Sequence, residues 1–178
     1  MRKPTSLTAC NSSSLVIDHF YGSEQDITVA GLSCDYLNRK EQTGSKVLEA
    51  MLKRLIGSGE IPVDVRKAFE DAKRHFGWVG PEASELLKML KIVIGQRQWV
   101  VLCIGGLDKS LAAHWTGLLS ALQAIVRELP NVRLLLTGRL FIRHEVERYF
   151  PSVDTILVSP TRDLADSTLA FTVAKIRV

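Results

Sequence analysis

Six consecutive apolar residues, Trp99-Val100-Val101-Leu102-Cys103-Ile104, run straight into the turn Gly105-Gly106-Leu107-Asp108-Lys109. A strand that is apolar on both faces has to be covered on both faces, and a parallel sheet meets that demand because its helical crossovers lie against it. Such a strand requires helices before and after it in the chain, and the sequence supplies them.

Ile27 to Cys34 is a second short apolar run with β-branched residues, bounded by Glu24 and Asp26 before it and Asp35 after it; it reads as a buried strand. Val47, Leu48, Met51, Leu52, Leu55 and Ile56 then recur at three- and four-residue steps up to Gly57, the spacing of one helix face closed by a glycine. Pro62 introduces a more polar helix over about 63–76. Pro81 opens a third, with Leu86, Leu87, Leu90, Val93 and Ile94 before Gly95, since proline's fixed φ and missing donor suit a first helical turn. After the Trp99 strand, Leu111, Trp115, Leu118, Leu119, Leu122, Ile125 and Val126 trace one stripe that Pro130 ends. The cycle repeats as a strand over 132–137, a helix over about 141–150 closed by Pro151, a strand over 155–158 and a final helix from about Arg162. Repeated strand-helix-strand units with right-handed crossovers predict an α/β fold, an open parallel sheet flanked by helices. Ligands of such sheets sit beyond the carboxyl ends of the strands, here Asp35, 105–110, Gly138-Arg139 and Ser159-Pro160.

At 178 residues there is room for one domain with a real core, because a domain of ~150 residues buries roughly two thirds of its unfolded surface. The 46% apolar and 24% charged residues exclude disorder and fibrous architectures. No apolar run approaches the ~20 residues of a helical membrane span. The basic start Met1-Arg2-Lys3-Pro4, followed by polar Thr8 and Asn11-Ser12-Ser13-Ser14, lacks the apolar stretch of a secretion signal. Residues 1–11 are expected to be a poorly ordered or aberrant start and 12–178 the domain. Cys10, Cys34 and Cys103 are odd in number and read as reduced thiols of a cytoplasmic protein. No Cys-x-x-Cys occurs, and His19, His75, His114 and His144 form no pair at metal-site spacing. The net charge of +4 is spread over Lys53-Arg54, Arg66-Lys67 and Lys73-Arg74, interleaved with Glu49, Asp64, Glu70 and Asp71. That pattern belongs to solvated helix faces rather than to a nucleic-acid surface.

The turn after the Trp99 strand is the informative constellation. In a sheet that hydrolyses mononucleotides, an apolar strand ends in acids, one carboxylate holding Mg²⁺ or its waters and another polarising the attacking water. Here Asp108 is the acid that remains; glycines fill the first two turn positions and Lys109 carries the wrong charge for a general base. Asp108 can equally be a capping residue for the helix that follows. Arg139, at the next strand end, can reach a terminal phosphate or be a surface charge. A phosphate-cradling loop needs Gly-x-x-x-x-Gly-Lys-Ser/Thr, and neither Gly44-Ser45-Lys46 nor Gly106-Leu107-Asp108-Lys109-Ser110 satisfies it.

Cys34-Asp35-Tyr36, the helix Val47 to Ile56, the strand and turn Trp99 to Lys109, and above all Asn131-Val132-Arg133-Leu134-Leu135-Leu136-Thr137-Gly138-Arg139 resemble the NACHT domain of STAND-class P-loop NTPases. The resemblance is to its nephrocystin-3-like N-terminal variety, abundant in fungal proteins that add ankyrin or other repeats downstream. It extends to Ser13-Ser14-Leu15-Val16-Ile17-Asp18-His19-Phe20, similar to the helix after that family's phosphate-binding loop, and to Ser159-Pro160, Asp163 and Lys175-Ile176. It implies a P-loop NTPase-like sheet, with ATP or GTP and Mg²⁺ as the cofactors of intact relatives. Counted back from Ser13-Ser14, the family's Gly-Lys-Ser/Thr falls on Thr8-Ala9-Cys10, so the phosphate lysine and Mg²⁺ hydroxyl are missing, as is the central strand that should precede them. At the acidic turn Gly105 replaces the family's first Asp and Lys109 its Glu, while Gly106, Leu107 and Asp108 conform. Arg139 matches the arginine that senses the nucleotide's last phosphate.

The resemblance therefore implies a remnant nucleotide site of Asp108 and Arg139, lined by Gly105, Gly106 and Lys109, with Asp108 the inherited metal position. The loss of the loop, its lysine and the acids removes most of what stabilises phosphoryl transfer. The expectation is a degenerate module without turnover or cofactor of its own, working through other protein domains, repeats of the same parent chain or self-association, with no nucleic acid and no membrane. The alternative is an ATP/GTP switch whose phosphate-binding loop lies upstream. Without the central strand, the strand ending at Val158 has to pair across a gap or leave an unpaired edge.

Overall fold

The computed structural model describes residues 27–57, 60–76, 81–151, 154–158 and 170–175. The expectations for the start, for 13–20, for Ser159-Pro160 and Asp163, and for a helix over 162–169 lie outside these residues. The elements are β1 (Ile27–Ser33), α1 (Gly44–Ile56), α2 (Val63–Phe76), α3 (Ala83–Gly95), β2 (Trp99–Gly105), α4 (Ala112–Glu128), β3 (Val132–Arg139), α5 (Arg143–Tyr149), β4 (Asp154–Val158) and β5 (Ala170–Lys175).

The helices form where their apolar spacing is helical, and local chemistry closes them. Thr43 caps α1, its hydroxyl accepting from the Lys46 N–H at 3.3 Å, and so satisfies one of the donors left free by the first turn. Gly57 ends it with φ 65°, and its N–H donates to the Lys53 carbonyl, a left-handed position suited to glycine. Val47, Leu48, Met51, Leu52 and Leu55 are the buried face, the same stripe that the sequence spacing picks out.

The sheet has five strands in the order β1-β2-β3-β5-β4. β1, β2 and β3 are parallel neighbours, Ile27 facing Trp99 and Val100 facing Val132 in register. This gives the expected α/β architecture, a P-loop NTPase-like open sheet flanked by helices, but the sheet is not parallel throughout. β5 runs antiparallel between β3 and β4, Leu134 facing Lys175 on one side and Asp154 facing Ala174 on the other. The final helix expected beyond Arg162 is thus corrected over 170–175, where the chain is a strand. Phe171-Thr172-Val173 favours extended backbone, and two flanking strands each offer a row of backbone partners. Of the two outcomes expected for the strand ending at Val158, the gap is filled by β5, and β4 is an outer strand of the sheet among the described residues.

β2 shows why both of its faces are apolar. Val100, Leu102 and Ile104 join Ala30, Leu134 and Leu136 in the main cluster, where α1, α3, α4 and α5 contribute Leu48, Met51, Leu90, Leu119, Leu122 and Val146. Val101 and Cys103 turn the other way, onto Val29, Leu135 and Ile27. That alternation is the two-residue period of a strand.

Candidate functional site

The parallel register brings the ends of β1, β2 and β3 to one edge, with Ser33 beside Gly105 and Ile104 beside Leu136. The Cys34 N–H extends the ladder by donating to the Gly105 carbonyl at 2.7 Å. Gly106 then turns the chain with φ 66°, a conformation that costs a residue with a Cβ about 1 kcal/mol or more. Its N–H donates to Thr137 Oγ1 at 3.1 Å, within the buried edge. Ser110 Oγ donates to the Leu107 carbonyl at 2.8 Å and accepts from Trp115 Nε1 at 2.9 Å. The turn is held from the β3 side by Thr137 and from the α4 side by Trp115.

Asp108 lies in a single tight helical turn over Leu107–Lys109. One carboxylate oxygen accepts from the Arg139 backbone N–H at 3.2 Å, and the other stands 3.3 Å from Arg139 Nε. The Asp108 side chain is 6% exposed and that of Arg139 58%, so the carboxylate is covered and the guanidinium reaches toward solvent. Gly138 permits the approach: a Cβ there would lie 2.5 Å from Ile142 Cδ1 and 3.3 Å from the Asp108 oxygen. The capping reading of Asp108 is corrected by this geometry. α4 starts at Ala112, Leu111 holds its cap position, and no side chain caps it. Extended backbone at Ser110, φ −80° and ψ 165°, separates the two turns and leaves Asp108 directed at β3.

The other expected residues gather at the same edge. Gly105 closes β2. The Lys109 side chain passes over Gly106, its Cδ and Cε 3.1 Å from where a Cβ would stand. Buried Cys34 feels both charges of the turn: burial first and Asp108 second push its thiol up to about 11, against the opposing charge of Lys109. Asp35, the other acid at this edge, is committed to its own loop, accepting from the Leu37 N–H at 3.1 Å and from Asn38 Nδ2 at 3.0 Å.

These residues do not fit a magnesium-bound nucleotide. Asp35 and Asp108 are taken up by protein donors, and Lys109 supplies a cation where the chemistry asks for an anion. Among the described residues no group of three or more His, Cys, Asp or Glu side chains is placed to hold a metal ion. The arrangement is suited to holding the ends of β2 and β3 together. Thr137 is the residue that the sequence reading left without a role; the signal for it is a lone polar side chain closing the apolar run Leu134-Leu135-Leu136.

Compared with known proteins, residues 11–139 match the family model described as Nephrocystin 3, N-terminal. No curated protein and no solved structure matches the chain. The matched span takes in β1 to β3 and ends at Arg139, the residue paired with Asp108.

Proposed function

The chain belongs to the Nephrocystin 3, N-terminal family, and from that premise we propose that it is a degenerate NACHT-type module of a STAND signalling or self-recognition protein. It acts by protein contacts and turns over no nucleotide of its own. The observation that carries this reading is the capture of Asp108 by Arg139, through both the backbone N–H and the guanidinium. A carboxylate so engaged and covered is poorly placed to hold a magnesium water. Exposed Tyr36, Leu37, Leu140 and Phe141 at the ends of β1 and β3 support a contact-making role, since large apolar side chains left in water are a feature of interaction surfaces.

The test is calorimetric titration of the full chain with Mg-ATP and Mg-GTP, together with a phosphate-release assay. The expected result is affinity weaker than micromolar and release no faster than in buffer. Micromolar binding, or hydrolysis that Asp108→Ala abolishes, sinks this reading and favours the nucleotide switch.

A further inference from the structure

The edge that gathers the ends of β1, β2 and β3 also presents large apolar side chains to solvent, on a backbone tied in place. Gln42 closes the loop after β1: its side chain accepts from the Asp35 N–H at 3.1 Å and donates to the Asp35 carbonyl at 2.9 Å. His114 Nδ1, in the first turn of α4, stands 3.2 Å from the Gln42 carbonyl and fastens that loop to the helix. The next residue, Trp115, meets Phe141 with ring centroids 6.3 Å apart. One run of contacts thus links Leu37, 89% exposed in the closed loop, to Phe141, 65% exposed after β3. Apolar side chains left in water on so fixed a support are a feature of surfaces that meet another molecule.

Two cations stand at the same edge. Lys109 is half-buried, its stem folded over Gly106 with Cδ and Cε 3.1 Å from where a Cβ would lie. Its ammonium makes no hydrogen bond or ion pair among the described residues, and a cation partly removed from water gains from an anion brought to it. Arg139 reaches solvent from the end of β3 with its Nε turned to Asp108, and its terminal nitrogens make no hydrogen bond among the described residues. The nearby acids are engaged: Asp35 with Leu37 and Asn38, Asp108 with Arg139, and Glu147 with Arg143. Glu41 follows two further cations, Arg39 and Lys40, of which Arg39 lies 4.7 Å from the centre of the Tyr36 ring.

We propose that this edge binds an acidic, apolar peptide segment of a partner protein, its carboxylates meeting Lys109 and Arg139 and its apolar side chains laid on Phe141 and Leu37. Charge complementarity selects this occupant. A small anion satisfies the cations and leaves the apolar side chains in water. An anionic membrane surface asks for a cluster of cations, and here Asp35, Glu41 and Asp108 interrupt the set. A peptide sets separate carboxylates beside apolar groups and so meets both features at once. The inference rests on the reading of the chain as a contact-making module and names the chemistry of its partner.

The test is fluorescence anisotropy of a fluorescein-labelled peptide alternating glutamate and leucine, titrated with the full chain at low salt beside a peptide carrying glutamine for glutamate. The expected result is saturable binding that salt weakens and that the glutamine peptide loses by about tenfold or more, the scale of one charged hydrogen bond. Lys109→Met keeps the stem over Gly106 and removes the charge, and Phe141→Ser alters an exposed side chain; each is expected to weaken binding. Arg127→Ala, which removes an exposed charge in the last turn of α4, is expected to leave it unchanged. No binding, equal binding of the two peptides, or equal losses in Lys109→Met and Arg127→Ala overturns the proposal. Sedimentation of the chain with phosphatidylserine vesicles that Lys109→Met abolishes overturns it in favour of a membrane. Displacement of the peptide by micromolar Mg-ATP overturns it together with the proposed function, whereas failure of the peptide alone leaves that function to its own experiment.

Discussion

Asp108 and Arg139 meet across a separation of 31 residues, and what brings them together is small: a left-handed glycine at 106, a side-chain-free position at 138 and a hydroxyl at 137. The same edge sets the chemistry of Cys34. Its thiol is pushed up to about 11, chiefly by burial, and that of Cys103 to about 12 by burial. An ordinary thiol titrates near ~8.5, so between that value and 11 the unfolded chain has released protons that the folded chain keeps. Stability is therefore full below the unfolded value and declines as pH rises toward the folded one. In a Cys10→Ser chain, both remaining thiols are expected to resist an aromatic disulfide reagent at pH 8 and to react at once in denaturant. The denaturant midpoint is expected to fall as pH rises from 9 to 11, less steeply in Cys34→Ala. Prompt labelling of the folded chain at pH 8 would contradict the burial argument.

Between elements, Asn131 acts as a fastener. Its side-chain amide donates to the Ile94 carbonyl at 3.1 Å and to the Arg97 carbonyl at 2.8 Å, and its own carbonyl accepts from the Val100 N–H at 3.0 Å. It thereby ties the end of α3 and the start of β2 to the start of β3. Asn131→Ala should cost about 1 kcal/mol of unfolding free energy, the usual net loss of a hydrogen bond, since the Ile94 carbonyl is partly buried and the Arg97 carbonyl exposed. Asn131→Asp should cost more, because a carboxylate would face two carbonyl oxygens at the negative end of a helix. Chemical denaturation of the two variants checks the order, and an aspartate variant as stable as the alanine one refutes the role.

How far such elements could be foreseen depended on whether their signal was local. The stripes of α1, α3 and α4 and the apolar runs of β1, β2 and β3 are written in neighbouring residues, and they lie where the spacing puts them. The strand-end location of Gly105, Gly106, Asp108, Lys109 and Arg139 follows from the parallel alternation itself. What Asp108 does there was not legible. Capping is a local pattern, whereas its actual partner comes from β3 and is admitted by the absence of a side chain at Gly138. β5 was missed for a related reason: Ala170–Lys175 is one more short segment after a series of strand-helix units, and its extended form is decided by the ladders on either side of it.

At the scale of the whole molecule, that strand divides the sheet into two regimes. β1, β2 and β3 are bonded in sequence and backed by the main apolar cluster. β4 pairs with β5, which in turn pairs with β3, so among the described strands β4 joins the sheet by way of β5. Proteins open in cooperative units whose free energies differ, and this connectivity makes β4 and β5 one such unit. Thr172 stands at the middle of β5, opposite Thr137 and Ile156. Proline there removes a ladder donor and restricts the backbone of an interior strand, where proline is not tolerated. In amide hydrogen exchange, Thr172→Pro is expected to strip protection from 154–158 and 170–175 together while 99–105 keeps most of its own. If protection instead falls evenly across all five strands, the sheet opens as one body. In that case β4 and β5 form no separate unit, and the joining of β4 by way of β5 does not decide how the sheet opens.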